Sequence, residues 1–119
     1  MIRILLVEDE ALIRFLAEEE LTELGYTVTA AASGDEAAEL IGIGACFDLL
    51  VTDIRMPGMD GWTLARLAKS ALPDLEVIYV TGFAGETHDP LEGMPVVRKP
   101  YRLEQLQEAI AGRFGEACR

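Results

Sequence analysis

The stretch Asp48-Leu49-Leu50-Val51-Thr52-Asp53-Ile54-Arg55-Met56-Pro57-Gly58-Met59-Asp60-Gly61 decides the fold. With Phe47 before it, its first half is a short, nearly continuous apolar run, Phe47–Thr52. That is the pattern of a strand buried on both faces of a parallel sheet. The run stops at Asp53, and Pro57, Gly58 and Gly61 mark a turn-rich loop. Gly58 and Gly61 are expected to permit a tight backbone path there. A helix is expected from about Trp62 to Leu72, halted by Pro73.

The same unit repeats on either side. Upstream, Ile2–Val7 is a second apolar run, bounded by acids. Ala11 to Leu24 carries apolar residues at Leu12, Phe15, Leu16, Leu21 and Leu24, close to helical spacing, with Gly25 as the left-handed stop. Tyr26–Ala31 is rich in β-branched residues and reads as a strand. Ser33 with Glu36 is a capping box, opening a helix through Ile41 that ends at Gly42 or Gly44. Downstream, Val77–Val80 and Val96–Arg98 read as strands. Lys99-Pro100-Tyr101 leads into a closing helix with Leu103, Leu106, Ile110 and Phe114 on one face. Between those two strands, Gly82–Pro95 has weak helical periodicity and many Gly, Pro and acidic residues. A short or irregular fourth helix is expected there.

Strands alternating with helices predict an α/β fold: a doubly wound, five-stranded parallel sheet with helices on both faces. The expected order is 2-1-3-4-5, the flavodoxin-like arrangement, with a topological switch between strands one and three. Ligands of such sheets bind beyond the carboxyl ends of the strands. Four of these ends carry polar residues directly after the apolar runs: Glu8-Asp9, Asp53, Thr81 and Lys99. An acid cluster suits a hard divalent cation, and a hydroxyl and an ammonium suit phosphoryl oxygens. Together they predict a phosphoryl-transfer site.

Composition narrows the alternatives. A chain of 119 residues, half of it hydrophobic, is expected to form a single domain over residues 1–119 with one real core. A net charge of −11 argues against nucleic acid, whose phosphates select clustered Lys and Arg. No apolar run approaches the roughly 20 residues needed to span a bilayer. The chain turns acidic at Glu8, too early for a signal peptide, so a cytoplasmic protein is expected. Cys46 and Cys118 lack metal-ligand spacing; a buried small apolar residue and an exposed terminal thiol are expected. With His88 the single histidine, no His-based metal cluster or catalytic triad can be assembled.

Four motifs, Leu6-Val7-Glu8-Asp9-Glu10, Asp48 to Gly61, Thr81-Gly82 and Lys99-Pro100, resemble the receiver domain of bacterial two-component response regulators. The resemblance covers essentially the whole chain, and the central motif with Lys-Pro carries it. It implies a phosphoacceptor switch rather than an enzyme, taking a phosphoryl group onto Asp53 from a histidine kinase or a histidine phosphotransfer protein. A carboxylate can attack phosphorus and form an acyl phosphate once charge repulsion is neutralised. Glu8 and Asp9 are then the metal-site acids for Mg²⁺, with Asp53 and the Arg55 backbone carbonyl as further ligands. Thr81 donates its hydroxyl to the phosphoryl oxygens and Lys99 pairs with Asp53 and then with those oxygens. The family's Lys-Pro bond is often cis, which aims the lysine.

One departure bears on output. Many receivers carry Tyr or Phe three residues before the lysine, where this chain has Val96. Tyr79-Val80-Thr81-Gly82-Phe83-Ala84 resembles a receiver subgroup with a Phe-Ala-Thr-Gly-like motif after strand four. Output is then expected through Gly82–Pro95 and Tyr79 or Tyr101. Three other functions fit the residues less well. A pseudo-receiver often loses the acids or the lysine, which this chain keeps. A phosphohydrolase needs a second acid two residues after Asp53, where Arg55 stands. A flavin carrier needs a phosphate-cradling loop after strand one, where Glu8-Asp9-Glu10 has the wrong charge.

Overall fold

The computed structural model describes residues 2–81, 96–98 and 103–114. Along them run β1 (Arg3–Val7), α1 (Ala11–Glu23), β2 (Thr27–Ala31), α2 (Gly34–Gly42), β3 (Leu49–Asp53), α3 (Gly61–Ala71), β4 (Glu76–Thr81), β5 (Val96–Arg98) and α4 (Leu103–Phe114). All strand pairs are parallel, and the sheet order is β2-β1-β3-β4-β5. The expected α/β architecture is present. The part expected to hold a short or irregular helix, Gly82–Pro95, lies outside the described residues.

The sheet is apolar on both sides because both are covered. Leu5, Val7, Leu50, Val77 and Tyr79 pack with Ala37 and Ile41 of α2 and Leu64, Ala65 and Ala68 of α3. Ile4, Leu6, Leu49, Val51, Ile78 and Val80 pack on the other face with Ala17 and Leu21 of α1 and Leu106 and Ile110 of α4. Residues of alternating parity face opposite layers, as the pleat requires. Tyr79, one expected carrier of the output signal, has no exposed surface and sits in the α2/α3 layer.

Local signals set most boundaries. Ser33 Oγ accepts the Glu36 amide at 3.1 Å, and Glu36 Oε1 accepts the Ala32 amide at 2.5 Å. This reciprocal capping opens α2. Asp60 Oδ1 accepts the Thr63 amide at 2.7 Å and opens α3. At the far end of α3, Lys69 Nζ donates to the carbonyls of Pro73 and Leu75, at 2.9 and 3.0 Å. Gly25 and Gly44 adopt φ of +101° and +95°, which glycine tolerates without strain. α2 therefore ends at Gly42, and Gly44 is the left-handed residue that follows the C-cap Ile43.

One expectation needs correction, that for Cys46, and α1 presents a face that its spacing alone did not specify. Leu12, Phe15, Leu16 and Leu24 of the α1 stretch are exposed, and the buried contacts of α1 fall on Ala17 and Leu21. At about 100° per residue, Phe15 lies roughly 200° from Ala17, on the opposite side of the helix. The helix is turned so that Ala17 and Leu21 join the cluster formed by Ile4, Leu6, Leu49 and Val51 of the sheet. Cys46 is exposed, not buried; it lies in the α2–β3 connection, its Sγ 3.7 Å from the Gly44 carbonyl. Cys118 lies outside the described residues.

Candidate functional site

The site begins with strand register. Val7 pairs with Thr52, and Asp53 with Val80, so β1, β3 and β4 end side by side. Residues just past Val7 are thereby neighbours of Asp53. One carboxylate oxygen each from Glu8, Asp9 and Asp53 lies within 4.8 Å of the others. Glu8 and Asp53 are 3% and 5% exposed, while Asp9 is open to solvent. Ionised oxygens 4.8 Å apart repel by on the order of 3 kcal/mol per pair at an effective dielectric of 20. A hard divalent cation, which takes oxygen donors, fits this donor set.

Glu8 is held by bonds to its main chain and its carboxylate. The Glu8 amide donates to the Ala31 carbonyl at 3.1 Å, extending the β1–β2 ladder. The Glu8 carboxylate accepts the Glu10 amide at 3.1 Å. Glu10 occupies the N-cap position of α1 but makes no side-chain cap bond. Arg14 reaches back from the second turn of α1, Nη1 donating to the Glu8 carbonyl at 2.8 Å.

The β3–α3 loop is pinned at several points. Thr52 Oγ1 donates to the Asp53 carbonyl at 2.9 Å, the Ile54 amide to the Val80 carbonyl at 3.1 Å, and the Gly61 amide to the Ile54 carbonyl at 2.8 Å. Gly58 takes φ +79°, the left-handed region. Gly61 is needed for a different reason: a Cβ there would collide with the Asp53 carbonyl. The start of α2 presses on the same loop, since a Cβ at Gly34 would stand 2.9 Å from the Met59 carbonyl.

Of the expected site residues, Glu8, Asp9 and Asp53 are brought together. Arg55 is exposed in the β3–α3 loop, two residues from Asp53. Thr81 is the last residue of β4, in register with Arg98. Lys99 lies outside the described residues. Arg14 was missed by sequence reasoning. An arginine in an acidic helix reads as a surface charge, and its partner, a main-chain carbonyl, leaves no mark in the sequence.

A family model for the response regulator receiver domain matches residues 4–111. The chain belongs to that family. It is 40% identical over 114 residues to the response regulator receiver protein CpdR of Brucella abortus, covering 92% of this chain and 94% of CpdR. Sensor kinase CckA of the same organism is 38% identical over 114 residues, which span 90% of this chain but 12% of CckA. A response regulator receiver protein from Sinorhizobium medicae superposes with a TM-score of 0.87 at 35% identity, covering 94% of this chain and 93% of that one. The response regulator TrrA of Thermotoga maritima, solved in complex with Mg²⁺ and BeF, superposes with a TM-score of 0.83 at 32% identity over 95% of this chain and 99% of TrrA. This receiver domain is a phosphoacceptor switch of two-component signalling. Among the described residues, no helix is long and apolar enough to cross a membrane.

Proposed function

We propose that Asp53 is the phosphoacceptor and that residues 1–119 act as one receiver domain in the cytoplasm. The clustering of Glu8, Asp9 and a nearly buried Asp53 at adjoining strand ends carries this reading. In the transfer, an Asp53 oxygen attacks phosphorus of a phosphohistidine. The P–O bond forms as the P–N bond breaks, and the imidazole leaves with the electron pair. The donor is a histidine kinase or a histidine phosphotransfer protein; nucleic acid and membrane are not partners. Glu8, Asp9, Asp53 and the Arg55 carbonyl would hold Mg²⁺, which supplies charge neutralisation for the phosphoryl oxygens. Burial of Asp53 keeps bulk water from the acceptor. Thr81 donates its hydroxyl to the phosphoryl oxygens, and the Lys99 ammonium neutralises their charge.

Output is assigned to the segment after β4, Gly82–Pro95, of the subgroup with a Phe-Ala-Thr-Gly-like motif. Val96 at the usual aromatic position supports this route. Incubation with Mg²⁺ and acetyl phosphate tests the acceptor: one phosphoryl group labile to base and hydroxylamine is expected on the parent chain and none on Asp53→Asn. Equal modification of both chains excludes Asp53.

A further inference from the structure

The structure assigns Arg14 to the metal site as a positioning residue. It sets the Glu8–Asp9 peptide, so that both carboxylates face Asp53, and this assignment rests on the metal-site reading above. The β1–α1 turn lacks the usual means of fixing such a corner. Glu10, at the cap, makes no cap hydrogen bond, and the first turn of α1 holds no acidic side chain. Two bonds replace it. The Glu8 carboxylate accepts the Glu10 amide at 3.1 Å, and half-buried Arg14 clamps the Glu8 carbonyl at 2.8 Å. The carbonyl of Glu8 and the amide of Asp9 form one planar peptide. A donor that fixes this carbonyl holds the plane between the two Cα atoms and so restricts the directions in which both neighbouring side chains leave the backbone.

The guanidinium is suited to the task. It is always charged, rigid, and weakly enough hydrated to be held half-buried beside a carbonyl. Its own main chain is tied to the same turn, the Arg14 amide donating to the Glu10 carbonyl at 2.9 Å. Glu8, Glu10 and Arg14 thus form a closed brace around the turn that carries two of the three acids. Arg14 sits beside a ligand, as the outer groups of metal sites do, and not against the cation.

Positioning and simple charge compensation predict opposite signs, which makes the test decisive. A cation that only offset the acids would weaken Mg²⁺ binding, so its removal would tighten it. A brace that aims the acids strengthens Mg²⁺ binding, so its removal loosens it. Calorimetric titration of MgCl₂ into the parent chain, Arg14→Met and Arg14→Lys separates the two. Arg14→Met is expected to bind Mg²⁺ about tenfold more weakly, the scale on which outer-shell groups act. Arg14→Lys, which keeps a donor, is expected to recover most of the loss. In parallel, the Asp9 amide nitrogen resonance is expected to move in Arg14→Met and stay near its parent position in Arg14→Lys. Should Arg14→Met fail to fold, Arg14→Gln, whose shorter arm falls short of the Glu8 carbonyl, carries the same expectation. Unchanged or tighter Mg²⁺ binding without the guanidinium overturns the assignment. No Mg²⁺ binding by the parent chain overturns the metal-site reading itself, and this assignment with it.

Discussion

The Cα of Gly61 lies against the main-chain carbonyl of Asp53, so closely that any Cβ at residue 61 would overlap that oxygen. The first residue of α3 and the proposed acceptor are thus in backbone contact, and the Gly61 N–H donates a hydrogen bond to the neighbouring Ile54 carbonyl at 2.8 Å. Gly61→Ala must push α3 off the strand end or twist the Asp53 peptide. Overpacking of this kind costs about 1–3 kcal/mol and can cost more. Gly42 and Gly112 are helical glycines with nothing within 4 Å of the added Cβ. Alanine there is expected to be neutral or to stabilise, by up to about 1 kcal/mol. Urea unfolding of the three variants checks the contrast.

The turned face of α1 makes a second prediction. Leu21 has no exposed surface, whereas Phe15 is 54% exposed. Leu21→Ala is expected to cost about 2–5 kcal/mol, transfer and cavity combined. Phe15→Ala is expected to stay within about 0.5 kcal/mol, as exposed substitutions do. Equal costs would mean that α1 packs through its larger apolar residues after all.

Metal dependence of stability follows from the crowded acids. With Glu8, Asp9 and Asp53 oxygens within 4.8 Å, removing one charge relieves repulsion in the metal-free protein. Asp53→Asn and Asp9→Asn are each expected to raise the metal-free Tm and to blunt its rise with Mg²⁺, because a ligand of the folded state stabilises by mass action. Scanning calorimetry with EDTA and with MgCl₂ measures both effects. A metal-free Tm unchanged or lowered in both variants would count against a shared acidic pocket.

Acid sensitivity is predicted at the opposite end of the sheet. Arg3 donates to Asp48 through its side chain at 3.1 Å and its amide at 2.8 Å. The side-chain bond from Arg3, foremost, holds the Asp48 carboxyl below the usual carboxylate range, against the opposing effect of burial. A depressed folded pKa contributes stability above the unfolded value and loses it as pH falls through the folded one. The stability difference between the parent and Asp48→Asn is therefore expected to be present near neutrality and to vanish below the ordinary carboxylate range. Half-exposure of Arg3 keeps the difference small. Urea midpoints between neutral pH and strongly acidic pH follow it.

The alternation of strands and helices was legible in the sequence because β1, β3 and β4 are covered on both faces. Such strands must be apolar at nearly every position, which sets them apart from amphipathic helices. The acids were legible for a related reason: Glu8-Asp9 and Asp53 are the first charges after the uncharged stretches Ile4–Val7 and Leu49–Thr52. Capping by Ser33, Glu36 and Asp60 was equally local, and only the first pair was read in advance. What the tertiary structure decided concerns faces and main-chain partners. Leu12, Phe15 and Leu16 share helical spacing with Leu21, but the docking angle of α1 is set by the fit of Ala17 and Leu21 to the sheet, which periodicity does not encode. Cys46 is exposed because of where the α2–β3 connection runs, not because of its chemistry. Gly61 reads as a turn residue, yet it is needed for the space at Asp53, a contact between segments eight residues apart. Arg14 bonds a carbonyl oxygen that every residue possesses, so only the path of the folded chain could name Glu8 as its partner.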